Sequence, residues 1–144
     1  MLPNIFSDWS RDQTRRVYLE AWRKHRQGVP LEPLEAQLAA VISAHPEYSA
    51  LLESDEVLTT DFSPDSGRVN PFLHMALHHA LREQVATDRP AGIARVFQRL
   101  KKRLQDGHEA EHAMLEVLVQ QIWEVMREGR IADEQAYLER LRKL

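Results

Sequence analysis

Residues that start and stop helices punctuate this 144-residue chain from end to end, whereas the alternating runs expected of strands are scarce. Ser10 can cap a helix running to about Gln27, with Gly28 as its stop and Tyr18, Leu19 and Trp22 on one face. Its basic residues Arg11, Arg15, Arg16, Arg23, Lys24 and Arg26 read as a solvated flank. Pro33 opens a second helix through about Ala44, with Leu34, Leu38, Val41 and Ile42 as its stripe. His45-Pro46 breaks it, because proline disfavours a helical conformation at the residue before it, and Pro46 can open another short helix to about Leu52.

Residues from about Ser54 to Val69 crowd Thr59, Thr60, Ser63, Pro64, Asp65, Ser66 and Gly67 together, which reads as one long ordered loop with a brief extended piece at Val57 and Leu58. Asn70-Pro71 then supplies a cap and a proline for a helix to about Thr87. Asp88-Arg89-Pro90 has the same form and opens a helix from about Ala91 to Gln105, with Ile93, Val96, Phe97 and Leu100 inward. Asp106 caps a helix from about Gly107 to Glu128 that stops at Gly129, and a last one spans about Asp133 to Arg142, presenting Tyr137, Leu138 and Leu141. The expected fold is all-α, a single-domain helical bundle over residues 1–144 with about six helices and one long loop. A chain of this length buries roughly two-thirds of its unfolded surface, enough for a core without cross-links.

Composition narrows the chemistry. There are no cysteines, which removes disulfides, thiolate zinc sites, iron–sulfur clusters and cysteine nucleophiles, so any metal must use His, Asp or Glu. The net charge of −3 argues against a nucleic-acid partner, since phosphate neutralisation calls for a basic surface. The longest apolar run, Leu38 to Ala44, is too short to cross a bilayer, and the first residues lack a signal or transit pattern, so the expectation is a cytoplasmic protein with no membrane partner. No Gly-rich phosphate loop and no nucleophile elbow occur.

Two helices carry His-x-x-x-His: His74 with His78, and His108 with His112. The spacing stacks two side chains on one helical face, so two imidazoles can point at one ion. In the second helix, Leu115, Leu118, Val119, Ile122 and Met126 define the apolar face at ~100° per residue. His108, Glu111 and His112 share that face, while Glu109 points outward with Glu116 and Arg127. Three ionisable groups looking inward need compensation, because each unpartnered buried polar group costs roughly 1–3 kcal/mol. On the earlier helix Leu73, Leu77, Ala80 and Leu81 form the stripe, His74 and His78 flank it, Glu83 takes the opposite flank and His79 faces solvent. Short connections at Thr87 to Pro90 and Asp106 to Gly107 imply an up, down, up arrangement, in which the two pairs lie at matching depth on parallel helices.

The expected site is therefore one divalent metal on His74, His78, His108 and His112, with Glu111 as ligand or as the carboxylate that orients a histidine, and zinc as the default ion. Three ligands would leave a position for an activated water and hydrolytic chemistry. A carboxylate-bridged di-iron site would want Glu-x-x-His on two helices, and the one candidate, Glu109 with His112, has its glutamate facing away. The bland alternatives are histidines that cap helices or pair with Glu111 or Glu47, and a His45-Pro46 that is simply a joint between helices. Arg95, Arg99, Lys101, Lys102 and Arg103 read as a solvated face, Trp9, Trp22 and Trp123 as core anchors, and His25 as a surface residue.

Several of these segments carry a resemblance: His45-Pro46-Glu47-Tyr48, Asn70-Pro71-Phe72-Leu73-His74 with His78, Arg82-Glu83-Gln84, Asp88-Arg89-Pro90-Ala91-Gly92-Ile93, and His108-Glu109-Ala110-Glu111-His112. Together they resemble a bacterial family, domain of unknown function eighteen forty-one, over nearly the whole chain. In that family a histidine often follows His-Pro-Glu-Tyr, where this chain has Ser49. The resemblance implies a group of look-alikes and supplies no mechanism. The runner-up to a metal binder or small metal-dependent enzyme is a non-enzymatic interaction module whose helical surfaces dock a protein or nucleic acid, and a homo-oligomer stays open.

Overall fold

The computed structural model describes residues 10–62 and 70–144; Trp9 and the loop residues Ser63 to Val69 singled out above lie outside them. The described residues form seven α-helices and no strand: α1 Arg11–Gln27, α2 Pro33–Ser43, α3 Pro46–Ser49, α4 Pro71–Thr87, α5 Ile93–Leu104, α6 Gly107–Glu128 and α7 Glu134–Arg142. They divide into two compact units, one ending at His79 and the other comprising Ala80–Leu144, with α4 running from the first into the second. No helix among them is long and apolar enough to cross a membrane.

In the first unit, Ser10 caps α1 through a reciprocal pair of hydrogen bonds with Gln13, and Gly28 closes it at a φ of 70° that an L side chain rarely adopts. Glu32 and Glu35 make the same reciprocal cap on α2, whose first residue is Pro33. α1 packs on α2, and Tyr18, Ala21, Leu38, Val41, Ile42, Leu52, Val57, Phe72 and Met75 form the core. Val57 and Leu58 are buried in a 3-10 turn, Asp55–Leu58, where the sequence suggested an extended piece. Arg15 explains the turn. The solvated flank expected of it is wrong: Arg15 is buried, and its Nη1 donates to the carbonyls of Val57, Leu58 and Thr60 at 2.8, 3.2 and 2.8 Å. A strand there would aim alternate carbonyls apart, whereas the turn gathers them around one guanidinium.

The second unit stacks α5 on α6, with α7 against both. The end of α4 joins it through Gln84, whose Oε1 accepts from the buried Tyr137 hydroxyl at 2.7 Å. Asp106 caps α6 as its sequence position predicts, and Asp133, expected only as the start of the last helix, caps α7. α5 begins later than expected. Asp88 Oδ1 does receive Gly92 N and Ala94 N, but the chain turns over Pro90 first and enters the helix at Ile93. The buried side of α6 also differs from the one expected. Residues Ala110, Glu111, Met114, Leu115, Val117, Leu118 and Gln121 are buried, while Trp123 is 69% and Met126 75% exposed. The shift follows α7, whose start docks on Gln121 through its Nε2 and the Asp133 carbonyl. Trp123 is therefore no core anchor, whereas Trp22 packs against the core as expected.

Candidate metal centre

Helix α4 starts where Asn70 Oδ1 accepts the amides of Phe72 and Leu73, which fixes the phase of every later side chain. Ala80 and Leu81 are buried as the expected stripe has them, but Leu73 stays 58% exposed while Phe72 and Met75 enter the core in its place. Phe72 fixes that choice by packing edge-on to Tyr18 at 5.7 Å. The rotation takes His78 and His79 inside, and both are buried. His79, expected to face solvent, instead bonds Gln37 Oε1 through Nε2 at 2.7 Å.

His74 and His78 meet as the spacing predicts, with ring centroids 4.7 Å apart and their Nε2 atoms 3.2 Å apart. That separation is a hydrogen-bond contact between the two rings, one nitrogen donating and the other accepting. A third imidazole joins them. His45 is fully buried, 4.5 Å from the His78 ring and 5.1 Å from the His74 ring, and nitrogens of His45 and His78 lie within 4.8 Å of each other. Its Nδ1 stands 2.7 Å from the Val41 carbonyl. A carbonyl only accepts, so Nδ1 carries the proton and Nε2 keeps its lone pair, the tautomer a metal ligand needs. Tyr48 stacks on the same ring at 5.6 Å, and burial, then the Glu47 carboxylate, raises the pKa of its phenol above the ordinary value.

In the other unit, α6 opens with Asp106 Oδ1 accepting the amides of His108 and Glu109. His108 and His112 follow one turn apart, half-buried, with ring centroids 4.2 Å apart and nitrogens within 4.8 Å of each other. Glu111 between them is buried, as its phase predicts, and Arg82 Nε reaches both of its oxygens at 3.0 and 3.2 Å. One guanidinium N–H is thus shared between both carboxylate oxygens in a charge-assisted contact.

The structure thus brings together each predicted pair and adds His45, which the sequence marks only as a joint. The His-Pro dipeptide did signal a helix break; what it could not reveal is that the break drops the ring onto α4. Glu47 lies in the first turn of α3, not before it, and acts on Tyr48. His25 is exposed and stacks on Trp22.

Neither the curated proteins nor the solved structures yield a significant match to this chain. One family model does match, over residues 10–143, and those bounds take in all five histidines of the two clusters together with Glu111 and Arg82. The chain belongs to that family, described as a domain of unknown function (DUF1841).

Proposed function

We propose that this protein binds a divalent metal ion through imidazoles, those of His45, His74 and His78 in the first unit, with His108 and His112 in the second unit as a further pair. The observation that carries the reading is the convergence of three imidazoles, with the fully buried His45 ring 4.5 Å from that of His78 and 5.1 Å from that of His74, and its Nδ1 held by the Val41 carbonyl. Metal-bound histidines usually donate their other ring N–H to a carbonyl or carboxylate, as His45 does to Val41. His108 and His112 form the second pair, and Glu111 between them is anchored from the end of α4. His78 and Arg82 lie one turn apart on α4, Arg82 grips Glu111, and Glu111 sits between the two histidines on α6.

Glu111 on this reading stays off the metal and sets the rotation of the first turns of α6, with Arg82 as its anchor. An all-imidazole set with no thiolate suits zinc, nickel, copper or cobalt over magnesium and calcium, and zinc is the default ion. Three imidazoles on a tetrahedral ion leave one position for an activated water. The function proposed is metal binding, and hydrolysis is its extension in that three-ligand case.

Elemental analysis of untagged protein tests this. The expected result is about one metal per chain, lost in a His78→Ala, His112→Ala variant, with zinc raising the thermal midpoint of the wild type and not of the variant, because a ligand that binds only the native state stabilises it. Metal-free wild type whose midpoint ignores zinc would overturn it. The second reading, an interaction module, draws on Trp123, Met126 and Ile131, the last 91% exposed, and gains from that negative result.

A further inference from the structure

The geometry points to a second site, in the Ala80–Leu144 unit, that takes a small molecule carrying two phosphate groups. Arg95 and Arg99 lie one turn apart on the exposed side of α5, and Arg142 ends α7; all three line one open cavity of about 760 Å³. Small-molecule sites fall within roughly 300–1,000 Å³. The floor is the buried Val96 together with Gly92.

Two contacts hold the arginines in place. Arg99 Nη2 donates to the Arg142 carbonyl at 3.1 Å, tying α5 to the end of α7. Gly92 has a φ of 107°, and a Cβ there would stand 3.2 Å from Arg142 Nη2 and 3.6 Å from Leu138, so the glycine leaves the guanidinium its room.

Charge decides what fits. Asp88 is the one acid in the lining, and its Oδ1 is turned to the amides of Gly92 and Ala94. Among the described residues no carboxylate stands within ion-pair distance of Arg95, Arg99 or Arg142. Three cations gathered in a concavity repel one another and focus a positive potential there, and an anion relieves both. The residue type matters as well. Lys101 and Lys102, on the same helix, lie outside this cavity, so the positions facing it hold the planar fork that grips phosphate through paired hydrogen bonds. The spread of the three heads over two helices calls for more than one phosphate.

Calorimetric titration with fructose 1,6-bisphosphate tests this on the full chain. Saturable binding to the wild type is expected, weakened about tenfold or more in Arg95→Ala, Arg142→Ala, since removing one charge-assisted hydrogen bond costs about that factor. Arg95→Lys, Arg142→Lys keeps the charge and should recover only part of the affinity, while Lys101→Ala, Lys102→Ala should bind like the wild type. The proposal is overturned if the wild type gives no saturable heat, or if the lysine-to-alanine control loses as much as the arginine variant. The site does not depend on the metal: His78→Ala, His112→Ala should bind the bisphosphate unchanged.

Discussion

The two ends of α6 invert the usual rule. Its first turns bury a carboxylate and half-bury two imidazoles, whereas its last turns leave a tryptophan and a methionine mostly in solvent. Each departure opposes hydrophobic burial, and the molecule treats them differently. At the polar end the cost is offset by a partner, since Arg82 takes both oxygens of Glu111. At the apolar end, burying Trp123 would remove well over 100 Å² of apolar surface from water at about 25 cal/mol per Å². The comparison separates burial that the fold compensates from exposure that it tolerates, and the two should respond differently to mutation.

The largest effect is expected at Glu111. Replacing it by alanine strands the Arg82 guanidinium, which is only one-third exposed, and should cost roughly 2–3 kcal/mol in chemical denaturation. Arg82→Met with Glu111→Leu removes both charges together and should return most of that stability. Metal content then separates two roles for the pair. A stable double variant that takes up zinc more weakly assigns the pair to positioning the imidazoles, and unchanged uptake assigns it to structure alone.

A smaller effect belongs to Asp106. Its carboxylate holds the amides of His108 and Glu109, and Asp106→Ala should cost about 1 kcal/mol by releasing the first turn. The loss at the metal should exceed the loss in stability, because the frayed turn is the one that carries His108. Equal zinc affinity in wild type and variant would show that this turn does not shape the site.

What the sequence made legible were features whose partners lie within a turn. The caps at Ser10, Asn70 and Asp106 and the two His-x-x-x-His stacks are local hydrogen-bonding and phase effects, and the structure has them where they were expected. Expectation and structure part where the partner is far along the chain. Arg15 finds its carbonyls 42 to 45 residues away and His79 finds Gln37 42 residues away, so neither can be told from a surface residue by spacing. His45 escapes notice for the same reason: its ring becomes a candidate ligand only once α4 lies beside it. Periodicity likewise finds an apolar face on α6 without saying whether anything covers it.

The smallest effect is expected at that uncovered end. Trp123→Gln with Met126→Gln should change stability by less than about 0.5 kcal/mol, because side chains already in water in the folded state lose little when shortened or made polar. Solubility gives the complementary readout: an apolar surface that tends to associate should do so less once both residues are polar, so the variant should remain dispersed at concentrations where the wild type shows concentration-dependent light scattering. A destabilisation of about 2 kcal/mol or more, on the order of a core truncation, would mean that Trp123 is covered after all in the folded molecule. The contrast between the two ends of α6 would then reduce to a single compensated surface, with Glu111 and Trp123 both held by partners.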